Sequence, residues 1–69
     1  METKFPERLK ELRQQKGVSQ REIAKAVGVS QTGFLRWEQG KNQPTLENLM
    51  ELCKYFDVSV DYLIGYTDI

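Results

Sequence analysis

The sequence predicts an all-α domain of five short helices within 69 residues. The first observation is that hydroxyl residues able to cap a helix stand directly before four segments with helical apolar spacing. These residues are Ser19, Ser30, Thr45 and Ser59. The second is that glycines, which readily adopt the left-handed conformation of a helix end, follow several of the predicted helices. A chain of this length supports one modest core, so we expect a single domain over residues 1–69.

Helix one is predicted from Pro6 to about Lys16, with Gly17 ending it. Proline suits the first helical turn because its missing N–H would have no partner there, and Glu7 complements the helix dipole. The apolar residues of this helix fall on one side, which we expect to face the core. They are Phe5, Leu9 and Leu12.

Helix two is expected to begin near Gln20 and to end at Gly28. Its apolar residues share one face, and the small alanine among them allows a crossing helix to come close. They are Ile23, Ala24 and Val27. Gly28 and Val29 then form a very short turn before the next cap. Two short helices joined so tightly are typical of a unit that places one helix in the major groove of DNA.

The third helix is predicted from Gln31 to Glu38. On a helical wheel, Phe34 and Trp37 lie on one side and face back towards helix two. The other side carries Thr32, Leu35 and Arg36, with Gln31 at the exposed N-terminal end. Amide, hydroxyl and guanidinium groups can hydrogen-bond to base edges, so the candidate base contacts are Gln31, Thr32 and Arg36. The alternative is an ordinary solvated helix face.

A loop at residues 40–44 precedes helix four, because Pro44 resists continuing a helix. Helix four is expected over roughly residues 46–56, followed by a last short helix between Ser59 and Gly65. The predicted core face of helix four is Leu46, Leu49, Met50, Cys53 and Phe56. We therefore interpret the lone cysteine as a core residue rather than a reactive thiol.

Four residues near the third helix are candidates for contacts with DNA phosphates. Gln20 lies at the start of helix two, where free backbone N–H groups also favour an anion. Ser30 lies at the start of the third helix, and Lys41 and Asn42 lie in the loop that follows it. For each of them, ordinary exposed surface is the alternative.

Nearly the whole chain resembles one family, the Cro and lambda-repressor-like helix-turn-helix domains of phage and bacterial regulators, of the xenobiotic-response-element type. The matching features are LKELRQQKGVSQREIA at Leu9–Ala24, the Ala24 and Gly28 pair, VSQ at Val29–Gln31, WEQGK at Trp37–Lys41, Pro44, and VSVDYLIG at Val58–Gly65. The resemblance implies a compact five-helix bundle in which helices 2 and 3 form the helix-turn-helix. It also implies a structural ion pair between Arg13 and Glu38 across the bundle, and a phosphate-positioning role for Gln20.

The function implied is a sequence-specific transcriptional regulator of double-stranded DNA, a repressor that binds a palindromic operator through the major groove. The alternative is a protein-interaction module of the same fold, such as an antitoxin or an anti-repressor partner. Two residues depart from the family pattern. Gly33 lies inside the third helix, where it costs about 1 kcal/mol relative to alanine. Leu35 is apolar on the groove side, where it is a candidate for contact with a thymine methyl, for a partner-protein contact, or for a surface leucine.

The charge is balanced overall but divided along the chain. Ten basic and ten acidic residues give a formal net charge of zero. Residues 1–44 hold nine Lys or Arg against five acids, a net of +4, and residues 45–69 a net of −4. Such a chain can turn its basic part towards phosphate, and we expect a moderate salt dependence of binding.

A homodimer is expected on DNA, because one small domain reads too few base pairs for high specificity. The apolar residues predicted to supply part of the dimer contact are Val60, Tyr62, Ile64, Tyr66 and Ile69. The alternative is that all of them pack onto helix four.

Several other classes of protein are disfavoured by composition. The chain has no histidine and one cysteine, so we expect no metal and no cofactor. It also offers no nucleophile with an evident base and no glycine-rich phosphate loop, so we expect no enzyme. No small-molecule ligand is evident. Without a long apolar run or a signal pattern, we expect no membrane association and a cytoplasmic location.

Overall fold

The computed structural model describes residues 3–68, and these residues form five α-helices. The helices are α1 (Phe5–Lys16), α2 (Gln20–Val27), α3 (Gln31–Glu38), α4 (Leu46–Phe56) and α5 (Val60–Ile64). The all-α prediction is confirmed, and each helix begins and ends within about one residue of its predicted position.

Local hydrogen bonds explain the helix starts. At α2, α3, α4 and α5 the hydroxyl of the preceding Ser or Thr accepts the N–H of the residue three positions on. The donor–acceptor distances are 3.0 Å from Glu22 to Ser19, 3.0 Å from Gly33 to Ser30, 3.1 Å from Asn48 to Thr45 and 3.1 Å from Tyr62 to Ser59. Each bond satisfies one of the N–H groups that a helix start leaves free, so the caps set the element boundaries.

The core lies where the five helices meet. Helix α1 packs against α3 and α5, α2 packs against α3 and α4, and α4 packs against α5. The fully buried large side chains come from all five helices: Leu9, Ile23, Phe34, Leu52 and Leu63. The Trp37 ring meets the edges of Phe34 and Phe5 at centroid distances of 5.9 Å and 6.4 Å. Of these edge-to-face contacts, the one between Trp37 and Phe5 joins α3 to α1, and the other side of α3 remains outside the core.

The predicted core face of α4 is partly wrong. Leu46 and Met50 are 70% and 51% exposed, whereas Leu52, which was not in the predicted set, is fully buried. Leu49, Cys53 and Phe56 are half-buried against the core. The apolar side chains of α4 occupy a wider arc of the helix than the core covers, and the helix is oriented so that Leu52 faces the core while Leu46 and Met50 face outward. Burial raises the pKa of the Cys53 thiol, which disfavours the reactive thiolate.

A buried arginine, which the sequence did not reveal, joins α1 to the end of the described chain. Arg8 is 9% exposed, and its guanidinium lies 4.3 Å from the centroid of the Tyr62 ring. Its Nη1 donates to the carbonyl oxygens of Tyr62 and Thr67 at 2.7 Å and 3.0 Å, and its Nη2 donates to Asp68 Oδ1 at 2.9 Å. The positive charge of Arg8 therefore stabilises contacts within the domain.

The segment predicted to contact a second subunit packs mainly within the domain. Val60, Tyr62 and Ile64 are half-buried, and only Tyr66, at 83% exposed, offers a largely free ring among the described members. Ile69 lies outside the described residues. Within residues 3–68, no helix is long and apolar enough to cross a membrane.

Candidate nucleic-acid interface

Helix α3 has two distinct sides. Phe34 and Trp37 are 0% and 6% exposed and anchor the helix in the core. The other side projects from the domain surface, and its exposed residues are Gln31, Thr32, Leu35 and Arg36. The three predicted base-contact residues therefore share one exposed surface with Leu35. We call these four residues the α3 outer face.

The connection between α2 and α3 is a tight turn. Gly28 has φ 79°, a left-handed conformation that favours glycine, and the Val29 N–H donates back to the carbonyl of Ala24 at 2.9 Å. Ile23 and Ala24 are buried, so α2 lies close to α3 and supports it from behind. This arrangement leaves the α3 outer face free of cover from α2.

The first turn of α3 carries no acidic side chain, unlike the first turns of the other four described helices. Its N-terminal N–H groups and positive end of the dipole are therefore not already offset by a carboxylate. Ser30 is exposed, and its oxygen accepts the Gly33 N–H, so its hydroxyl hydrogen is free to bond elsewhere. An anion such as a phosphate suits this helix end.

Gly33 is not required by the helix cap. A Cβ added there would lie 3.1 Å from Ser30 Oγ, a tight contact. The equivalent positions after the caps of α2, α4 and α5 nevertheless carry side chains and keep the same hydrogen bond, namely Glu22, Asn48 and Tyr62. A small movement of the exposed Ser30 side chain would accommodate alanine.

Arg13 and Glu38 form a two-bond fork at the back of this surface. Arg13 Nε donates to Glu38 Oε2 at 2.7 Å, and Arg13 Nη2 donates to Oε1 at 3.3 Å. The Arg13 and Glu38 side chains are 15% and 4% exposed, so neither charge faces solvent. Arg13 Nη1 also donates to the carbonyl of Val18, in the loop before α2, at 3.2 Å. The arginine thus connects α1, that loop and the end of α3.

Gln20 lies at the first position of α2, but its amide is engaged within the domain. Its Nε2 donates to Glu38 Oε1 at 2.8 Å, a bond that the sequence does not indicate. One hydrogen of the amide nitrogen is thereby used, and the second hydrogen and the carbonyl oxygen remain for other partners. The predicted phosphate contact is compatible with this geometry and stays a prediction.

The loop after α3 brings Lys41 and Asn42 close to the C-terminal end of α3. Their backbone N–H groups donate to the Arg36 carbonyl at 2.9 Å and 3.4 Å, which closes the end of α3. Both side chains are exposed. Arg36 and Lys41 therefore place two positive charges at the C-terminal end of the α3 outer face, where no exposed acid lies within α3 itself.

The charge of the surface differs from that of the sequence. Arg8 and Arg13 are largely buried and each is paired with a carboxylate, so they add little to the basic field outside the domain. The exposed cations of α2, α3 and the following loop are Arg21, Lys25, Arg36 and Lys41, with Glu22 as the exposed acid among them. Four of the five acidic residues after position 44 lie on α4 or α5 or directly after α4, whereas Asp68 pairs with Arg8 of α1. Within residues 3–68, no cluster of His, Cys, Asp or Glu could hold a metal ion.

Helices α2 and α3 pack together, are joined by a tight turn, and expose the polar side of the second helix. This arrangement defines a helix-turn-helix domain. A helix-turn-helix family model matches residues 9–63. The chain belongs to this helix-turn-helix family.

Two curated relatives illustrate the range of similar proteins. The chain is 40% identical over 63 residues to the SPbeta prophage-derived HTH-type transcriptional regulator YonR of Bacillus subtilis, covering 91% of the chain and 58% of YonR. It is 38% identical over 61 residues to the HTH-type transcriptional activator BcrR of Enterococcus faecalis, covering 88% of the chain and 30% of BcrR. The chain thus spans little more than half the length of the one and under a third of the other.

Solved structures of similar fold include one determined with DNA. The P22 c2 repressor in complex with a synthetic operator superposes with a TM-score of 0.86 at 33% identity, covering 91% of this chain and 96% of that one. The restriction-modification controller protein C.AhdI of Aeromonas hydrophila gives a TM-score of 0.80 at 33% identity, covering 88% and 92% of the two chains. The lambda-repressor-like fold expected from the sequence is confirmed.

Proposed function

We propose that this protein is a sequence-specific regulator of transcription that binds double-stranded DNA with α3 in the major groove. The observation that carries this proposal is the α3 outer face, which exposes Gln31, Thr32, Leu35 and Arg36 together while Phe34 and Trp37 anchor the helix. Gln is suited to adenine through N6 and N7, Arg to guanine through O6 and N7, and Thr to either a hydrogen bond or a methyl contact. The solved P22 c2 repressor–operator complex supports this use of the fold.

Around that face, Gln20, Ser30, Lys41 and Asn42 are proposed as the phosphate contacts. Such contacts fix the register of a protein on the duplex but carry no sequence information. The helix start of α3, free of acidic side chains, supports a phosphate near Ser30. With few exposed cations, we expect non-specific affinity to be modest and to fall with salt according to the number of phosphates neutralised.

The proposed assembly is a homodimer on a palindromic operator, with half-site centres about 34 Å apart. The exposed ring of Tyr66 and the half-buried Val60 are the surface proposed for the second subunit. The proposed effect is repression, by occupying an operator and blocking polymerase. Relatives bear names of both repressors and an activator, so the position of the operator relative to the promoter would decide the effect. The proposed location is the cytoplasm, and the proposed role is not enzymatic.

The alternative function is a protein-interaction module of the same fold. Leu35, which is 37% exposed on the α3 outer face, and Tyr66 favour it, because both offer apolar surface to a partner protein. Replacing Gln31, Thr32 and Arg36 by alanine distinguishes the two functions. The first function predicts lost DNA binding, and the second predicts little change in partner binding.

Selection of binding sites from random duplex DNA tests the proposal. A recovered consensus with two-fold symmetry would support a dimeric operator-binding regulator. Recovery of no enriched sequence, at low salt and with folded protein, would contradict it.

A further inference from the structure

The start of α2 and the end of α3 are joined by one hydrogen bond, from Gln20 Nε2 to Glu38 Oε1 at 2.8 Å. In the sequence, these two helix ends lie farthest from the turn at Gly28, which joins the other ends of α2 and α3. The turn fixes one end of the pair, and this bond fixes the other. Together they set the angle between the two helices at both ends.

The acceptor of that bond is itself held rigidly. The Glu38 side chain is 4% exposed, and both of its oxygens accept hydrogen bonds from Arg13, at 2.7 Å and 3.3 Å. A carboxylate bonded to a guanidinium by two parallel bonds has a fixed plane. The directions of its remaining acceptor positions are therefore fixed, and Gln20 donates to one of them. Among the described residues, no buried side-chain nitrogen or oxygen is left without a partner.

This network gives Glu38 a second role besides pairing with Arg13. The amide of a glutamine ordinarily rotates among many rotamers, and ordering it on binding costs free energy. Here the amide is ordered before DNA arrives, with one N–H already turned to Glu38 and the other hydrogen and the oxygen in known directions. Gln20 also shares the first turn of α2 with free backbone N–H groups, which stay in place with it.

We propose that Glu38 is a positioning residue for DNA binding that acts through Gln20. It holds the Gln20 amide and the N-terminal turn of α2 in the orientation required for a backbone phosphate, at a fixed distance from α3. The inference rests on the proposed DNA-binding function and assigns Glu38, which faces away from solvent, a role in affinity as well as in stability.

A double-mutant cycle on DNA affinity tests this inference. The variants are Glu38→Ala, which removes the acceptor of the Gln20 amide, Gln20→Ala and the double variant. Each is titrated against the duplex enriched from a random library, at a temperature where circular dichroism shows it folded. We expect each single variant to weaken binding roughly tenfold, the scale of one hydrogen bond. The double variant should bind no more weakly than Gln20→Ala alone, because Glu38 acts through the Gln20 amide and has nothing to position once that amide is removed. Gln14→Ala, at an exposed glutamine of α1, is the matched control and should bind as the parent does.

Additive losses in the cycle would overturn the positioning role while leaving DNA binding intact. A parent protein that binds no duplex would overturn both the role and the proposed function. Because Glu38→Ala leaves Arg13 without its anion and could unfold the domain, nuclear magnetic resonance of the parent protein supplies a second test. The Gln20 side-chain NH2 should be rigid on the nanosecond timescale in the absence of DNA, and that of exposed Gln31 should be mobile. Equal mobility of the two amides would overturn the inference.

Discussion

Arg13→Ala is expected to lower the free energy of unfolding by about 3 kcal/mol, because it leaves the Glu38 carboxylate buried without its cation. Breaking a buried ion pair from one side costs roughly 3–5 kcal/mol. The lower end applies here because the Arg13 side chain is 15% exposed and the Gln20 amide would still bond to Glu38. A domain of this size has a total stability of roughly 3–10 kcal/mol, so a large part of it would be lost.

Thermal denaturation followed by circular dichroism measures this loss. For a domain of 60–100 residues, each 1 kcal/mol shifts Tm by about 4–8 °C, so Tm should fall by about 12–24 °C. Arg21→Ala is the matched control, since Arg21 is exposed on α2, and it should change stability by less than about 0.5 kcal/mol. Replacing Arg13 and Glu38 together by methionine should recover much of the loss, because no unpaired charge remains buried.

An Arg13→Ala variant that melts like the parent protein would refute this reasoning. If the same variant also bound DNA with an altered base preference, Arg13 would have to be reassigned from the scaffold to the DNA surface. A double methionine variant less stable than Arg13→Ala would separately contradict the view that the buried charge is the source of the loss.

Four other predictions concern stability and reactivity. Gly33→Ala should raise the free energy of unfolding, measured by urea denaturation, by up to about 1 kcal/mol. Alanine is the better helix former, and the equivalent positions after the other caps of this chain carry side chains. A clear loss of stability would mean that the Ser30 side chain cannot move to accommodate the added methyl group. Leu52→Ala should lower the free energy of unfolding by about 3 kcal/mol, and Leu46→Ala should lower it by less than about 0.5 kcal/mol, both measured by urea denaturation. A larger loss for Leu46→Ala than for Leu52→Ala would contradict the orientation of α4. Arg8→Ala should lower the free energy of unfolding by about 3 kcal/mol, because it removes three hydrogen bonds donated by the charged guanidinium. An unchanged melting curve would exclude a stabilising role for Arg8. Because burial raises the pKa of Cys53, the folded state holds the thiol proton to higher pH than the unfolded chain does. Iodoacetamide should therefore react more slowly with the folded protein than with the urea-unfolded protein. The free energy of unfolding should also fall as pH rises through the range in which the thiol of the unfolded chain ionises.

Helix boundaries could be predicted because their causes are local. A hydroxyl at Ser19 or Ser30 caps the turn that starts one residue later, and a glycine such as Gly28 ends the helix within the same few residues. The two sides of α3 followed from the same short-range geometry, since Phe34 and Trp37 are one turn apart. The eight residues of α3 were therefore enough to predict that the candidate base contacts lie on an exposed face of the helix.

Features that depend on distant partners could not be predicted in this way. Arg8 bonds to backbone carbonyls more than fifty positions away, and carbonyl acceptors leave no trace in residue identity. The orientation of α4 depends on which edge of a broad apolar stripe faces the core, so Leu52 and Met50 could not be ranked. Gln20 was placed at a helix start correctly, but its bond to Glu38 required the crossing angle of α2 and α3.

The most direct test of the central claim compares DNA binding by the parent protein and by a triple variant of the α3 outer face. The variant carries Gln31→Ala, Thr32→Ala and Arg36→Ala, all at exposed positions, so its Tm should stay within a few degrees of the parent value. Fluorescence anisotropy with the selected duplex should show Kd weakened at least about a hundredfold, from contacts worth roughly 1–3 kcal/mol each. Equal affinity of the two proteins for that duplex, with the variant folded, would contradict the claim that α3 reads DNA.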